Sequence, residues 1–175
     1  MTYAVEGYLD EQSSNRIYPI IQELQANQIP IDLDAKPHIT LGIYDQIPVE
    51  SFQDSLQVFC QTSACCPVHF ASIGIFPTPE IVLFFAPVVT ALLLAFHERF
   101  HKALQMWLPQ LIPYYKPAYW VPHSTLGLGL SPQELQQALS LIIPKWEPFH
   151  ATIDQIGLIQ FPPNAQISQY PLQQR

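Results

Sequence analysis

The sequence predicts an α+β fold built twice: a bilobal chain with two antiparallel sheets flanked by helices and a central cleft. Three observations predict it. First, "PHITLGI" at 37–43 and "PHSTLGL" at 122–128 are near copies of one heptad, 85 residues apart. Second, each heptad is followed at a similar distance by a helix that starts with proline, Pro48 and Pro132. Third, each of those helices leads to a strand ending in "IGIFP" (73–77) or "IGLIQFP" (156–162). The order motif, helix, strand, turn, strand therefore occurs twice, which marks an internal duplication spanning residues 1–175 as one bilobal domain.

The elements follow in order. Residues 2–9 alternate as a strand does. Residues 13–28 have the period of an amphipathic helix, with Ser13 or Ser14 as cap and Pro19 tolerated near the first turn. The first motif strand covers 37–44, and 48–61 is a helix opened by its proline. "VHFASIGIF" and "IVLFFAPV" are strands joined by the turn "PTPE". The longest helix covers 90–108, and the proline-rich "PQLIPYYKP" crosses to the second motif strand at 121–130. Ser131, Pro132 and Glu134 then form a capping box for the next helix. "FHATIDQIGLIQF" and "ISQYPL" close the chain as strands.

Composition narrows the function. The chain is 49% hydrophobic but only 12% charged, with a net charge of −7. A protein that grips long nucleic acid shows a basic stripe, and none is visible here. A nucleotide partner is therefore expected to be small or engaged at its end. The longest apolar runs, "IVLFFAPVV" and "ALLLAF", are too short to span a bilayer, and the start lacks the features of a signal peptide. Cys60, Cys65 and Cys66 are odd in number and two are adjacent, which suits neither a disulfide framework nor a zinc site. A reduced, cytoplasmic monomer is the expectation.

Strand geometry gives the heptads a chemical meaning. Side chains alternate faces, so His38 and Thr40 point one way and Ile39 and Leu41 the other; the same holds for His123 and Thr125 against Ser124 and Leu126. Gly42 and Gly127 are expected to leave room for a ligand near the backbone. Facing lobes then offer two imidazoles and two hydroxyls to one centre. Neutral histidine accepts a proton and protonated histidine gives one near neutral pH, which suits phosphoester cleavage without a metal or other cofactor. The threonines would donate to non-bridging phosphate oxygens. Tyr44 and Tyr119 share the parity of the motif histidines and are candidates to stack on a base. Packing is the ordinary role for such rings.

Bland readings stand beside these. The bare tripeptide His-x-Thr also occurs at His150, so it is the matching flanks that carry weight. His69 and His150 sit at equivalent places and read as parts of the fold. "HERFH" at 97–101 matches a zinc-binding helix with Glu98 as general base. Leu104 and Trp107 stand where a metzincin would continue with glycine and histidine, and the segment also reads as the polar side of a packed helix. A nucleotide- or RNA-end-binding module with little turnover would use the same residues as the enzyme.

Paired His-x-Thr strands in a bilobal α+β chain of this size resemble the two-histidine (2H) phosphoesterase superfamily, which includes 2′-5′ RNA ligase and cyclic nucleotide phosphodiesterase proteins. The resemblance implies hydrolysis of a 2′,3′-cyclic or 2′-5′ phosphodiester, with His38, Thr40, His123 and Thr125 in the catalytic positions. Many relatives carry a basic residue soon after the second motif; here Gly127, Leu128 and Gly129 follow.

Overall fold

The computed structural model describes residues 1–31, 36–162 and 164–174. The strands are β1 (Thr2–Leu9), β2 (His38–Asp45), β3 (Cys66–Phe76), β4 (Ile81–Pro87), β5 (Ser124–Leu130), β6 (Phe149–Phe161) and β7 (Ala165–Pro171). The helices are α1 (Glu11–Ala26), α2 (Val49–Thr62), α3 (Ala91–Ala103) and α4 (Pro132–Ile142). All strand pairs are antiparallel. The α+β duplication is thus present: β2-α2-β3-β4 and β5-α4-β6-β7 follow one plan.

The expected pair of sheets is instead a single one. The strands form one hydrogen-bonded path, β2-β1-β6-β3-β4-β5, with β7 also on β6. The cause is the length of β6, which has 13 residues. Its first part, from Phe149 to Ile153, pairs with β3; the remainder pairs with β1 and β7. The two half-sheets are fused where β3 meets β6. There His69 pairs with His150, its own counterpart in the repeat, and their rings stack at 4.3 Å. An antiparallel pair of equivalent residues marks the local two-fold axis. The motif strands β2 and β5 stand at opposite ends of this order, yet they lie against each other. The twisted sheet curls enough to bring its ends near each other without pairing them.

Local boundaries follow capping chemistry. Helix α1 begins at Glu11 because Asp10, rather than either serine, caps it by accepting the Ser13 N–H at 3.0 Å. Helix α3 starts after Thr90, whose hydroxyl accepts the Leu93 N–H. It stops at Ala103 instead of continuing to 108, and Gln105–Gln110 tightens into a 3₁₀ turn with Pro109 inside. The capping box of Ser131 and Glu134 forms as read from the sequence. The buried cluster draws on both half-sheets, with Val5, Leu41 and Ile156 from one and Leu83 and Phe85 from the other, and Phe52 and Phe96 from the helices. No helix among the described residues is long and apolar enough to cross a membrane.

Candidate functional site

Each motif histidine is held by the same local device. In both copies a proline precedes the ring, and the carbonyl before that proline is free to accept. His38 donates Nδ1–H to Lys36 O at 2.7 Å, and His123 donates Nδ1–H to Val121 O at 2.7 Å. These bonds assign the Nδ1–H tautomer to both neutral rings and leave each Nε2 for chemistry. Duplication has copied the tautomer along with the residue.

The surroundings were not copied. His38 stands edge-on to Tyr8, with ring centres 6.4 Å apart. Its Nε2 lies 3.4 Å from the Glu6 carboxylate, an ion pair whenever the ring carries both protons. His123 is packed against Phe76 at 4.9 Å and Phe84 at 5.1 Å. Burial among these rings pushes its proton affinity below the ordinary histidine value, and the nearby His38 charge lowers it further.

A cavity of about 160 Å³ opens where the two motif strands meet. Glu6, Lys36, His38 and Thr125 are among its polar lining, while Ile21, Ile31 and Leu128 contribute apolar wall. This space suits a phosphate and part of a small organic group, not a duplex. Thr125 is exposed and lines the cavity; Thr40 is half-buried beside it and does not. His123 is not among the residues lining it either, although its chain neighbour Ser124 is.

Two expectations about neighbours of the motifs are corrected. Between β1 and β2 the register passes from Val5↔Gly42 to Glu6↔Thr40, so Leu41 is bulged out of the ladder. The bulge reverses the parity beyond it. Tyr44 consequently enters the core, fully buried and 5.0 Å from the Phe52 ring, instead of bordering the cleft. Gly42 then makes space for that tyrosine, not for a ligand: a Cβ there would come 2.8 Å from the Tyr44 ring. Gly127 is hemmed by Leu130 and the Pro30 carbonyl. Tyr119 is 68% exposed and is not among the residues lining the cavity.

The "HERFH" helix is explained by the same bulge. His97 lies buried with Nε2 2.9 Å from the bulged Leu41 carbonyl, to which it donates, and His101 Nε2 is 3.0 Å from His97 Nε2. Glu98 faces outward. Trp120 stacks flat on His97 at 3.7 Å and donates its indole N–H to Thr40 O at 3.0 Å. The zinc reading therefore gives way to a brace between the first motif strand and the segment entering the second. Among the described residues no group of three or more His, Cys, Asp or Glu is placed to hold a metal ion. Burial drives both histidines down, His97 to about 3 and His101 to about 4.

Glu6 and Trp120 escape the sequence reading, and His97 and His101, expected on a polar helix face, are instead buried. Glu6 had a visible signal, as the single charge inside the strand "TYAVEGYL". Trp120 had none, because its partners come from 80 residues upstream and from α3.

Known proteins share this fold. A family model described as the 2′-5′ RNA ligase superfamily matches residues 10–163. Among solved structures, TT0787 of Thermus thermophilus superposes with a TM-score of 0.67 at 18% identity, covering 98% of both chains. E. coli LigT complexed with 3′-AMP gives 0.58 at 11% identity, covering 98% of this chain and 97% of that one. Kluyveromyces marxianus Usb1 gives 0.54 at 10% identity, with 98% coverage of each. No curated protein sequence matches.

Proposed function

The chain belongs to the 2′-5′ RNA ligase superfamily, and on that premise we propose that it is a phosphoesterase that opens a small 2′,3′-cyclic or 2′-5′ nucleotide phosphodiester by paired-histidine acid–base catalysis. The observation that carries this reading is the pair of matched 2.7 Å bonds that give both imidazoles one tautomer. A 3′-AMP-bound LigT among the similar structures agrees with a nucleotide-sized ligand.

The surroundings support a division of roles. His123, disfavoured as a cation by its aromatic cage, is the base: Nε2 removes a proton from water as the water oxygen bonds to phosphorus. His38, beside Glu6, is the acid: Nε2–H passes to the ribose oxygen as its bond to phosphorus breaks. The product is a phosphomonoester and a free hydroxyl, and solvent exchange returns the proton from His123 to His38. Thr125 and Thr40 donate to the non-bridging oxygens, with Thr40 reaching the phosphate from the edge of the cavity.

The test is incubation of the protein, in EDTA, with the four 2′,3′-cyclic nucleotides beside His38→Ala and His123→Ala. Turnover by the parent that both substitutions abolish supports the reading. Turnover lost in EDTA and restored by zinc overturns it in favour of metal chemistry. Nucleotide binding without turnover, lost in both variants, overturns it in favour of a binding module.

A further inference from the structure

Resting on the phosphodiester reading above, we infer that Glu6 sets charge selectivity in the cavity, admitting a singly charged phosphodiester and rejecting a doubly charged phosphomonoester. Glu6 is a carboxylate in a place meant for an anion. Its side chain is 8% exposed, it lines the same cavity as His38 and Thr125, and its Oε1 lies 3.4 Å from the imidazole nitrogen that a phosphate must approach. Strand register puts it there: Glu6 pairs with Thr40 and Tyr8 pairs with His38, so all four side chains share one face of β1 and β2.

A buried acid lining an anion's cavity has a plain electrostatic consequence. The protonated His38 ring offsets one negative charge, and Glu6 already supplies one. A diester brings a second negative charge, met by the threonine donors. A monoester near neutral pH brings close to two, and the excess faces Glu6 across a partly desolvated cavity where like charges interact more strongly than in water. Lys36, which also lines the cavity, is held by Gln169 at 2.8 Å; that amide is neutral, so Lys36 keeps its charge, enough to offset a diester's single charge but not a monoester's second one. No arginine among the described residues lines the cavity. Hydrolysis converts the tolerated charge into the rejected one, so Glu6 hastens product departure. Glu6 is here a specificity-determining residue; the proton transfers belong to the histidines.

The test separates charge from turnover by using two inert probes, 2′-deoxyadenosine 3′-monophosphate and its 3′-methyl ester. They share every group except one methyl and differ by one charge. Binding is measured calorimetrically at pH 7.5 for the parent, Glu6→Gln and Glu6→Asp. The parent should prefer the methyl ester. Glu6→Gln should bind the monophosphate about tenfold more tightly, with the ester changed less than about threefold. Glu6→Asp, which keeps the charge, should keep the preference. Equal shifts for both probes, or no shift for either, would overturn the inference even if cyclic nucleotides are hydrolysed. Absence of binding by both probes to the parent overturns it as well. Cyclic-nucleotide turnover in the parent then shows whether the phosphodiester reading falls with it.

Discussion

The two motif strands start from one plan and diverge in their neighbours. Both histidines give Nδ1–H to a carbonyl two residues back at the same 2.7 Å. One ring then meets a carboxylate and a tyrosine, the other two phenylalanines. On the proposed mechanism, the difference is how duplication would make an acid–base pair. Copying a strand supplies two identical imidazoles. Divergence of the packing, not of the motif, gives them different surroundings.

The comparison breaks most sharply at the histidines themselves. His38→Ala and His123→Ala should each lower kcat on a 2′,3′-cyclic nucleotide by about 10²–10⁴-fold. The double variant should be little worse than the worse single one, because the two groups act in one proton-transfer step. Strictly multiplicative losses in steady-state rates would show that the halves work independently.

The motif glycines provide a second contrast. Gly42→Ala drives a Cβ to 2.8 Å from a fully buried tyrosine ring that has nowhere to go. It should cost about 1–3 kcal/mol in denaturant unfolding. Gly127→Ala meets its nearest atom, a Leu130 methyl, at 3.1 Å, and a leucine tip can yield. Its cost should stay below about 1 kcal/mol. Equal losses would deny the bulge its role.

Acid stability compares the motif histidines with the bracing pair. His97 and His101 fall from an ordinary 6.5 to about 3 and about 4 on folding. Below pH 6.5 the unfolded chain binds these protons and the folded chain resists them, so stability must fall as pH drops from 6.5 toward 4. Melting temperatures across that range should decline steadily, and His97→Gln should flatten the slope. An unchanged slope would place the acid sensitivity elsewhere.

The smallest effect expected is a shift in a pH profile. Phe76→Ser removes one wall of the His123 cage and admits water, relieving the burial that holds its proton affinity down. Because His123 must be neutral to act as base, the acid limb of kcat/KM should move to higher pH, by a fraction of a unit to about one unit. Movement to lower pH, or movement of the alkaline limb alone, would reverse the assignment of acid and base.

Much of this was legible in the chain. The period-two pattern of "PHITLGI", the capping box at Ser131 and the repeat of "IG…FP" each encode local structure, and local structure needs only near neighbours. Pro37 and Pro122 even announce the carbonyl that each ring will grasp, since the accepting groups lie two residues back. Tyr44 was misread because a strand's parity holds only while its ladder is unbroken. The pattern "ITLGIYD" gives no hint that β1 will skip Leu41.

By itself, then, the sequence determined the duplication, the antiparallel α+β elements, the paired His-x-Thr groups and the absence of a basic track for long nucleic acid. Tertiary structure decided what those groups face. It fused the half-sheets through β6, curled the ends together, and brought Glu6 to His38 and the phenylalanines to His123. It also turned a zinc-like helix into a brace for a bulged carbonyl. The physical reason is range. Hydrogen-bond capping and side-chain alternation act over a few residues, whereas desolvation and charge pairing depend on whichever distant segments the curled sheet brings within a few ångströms.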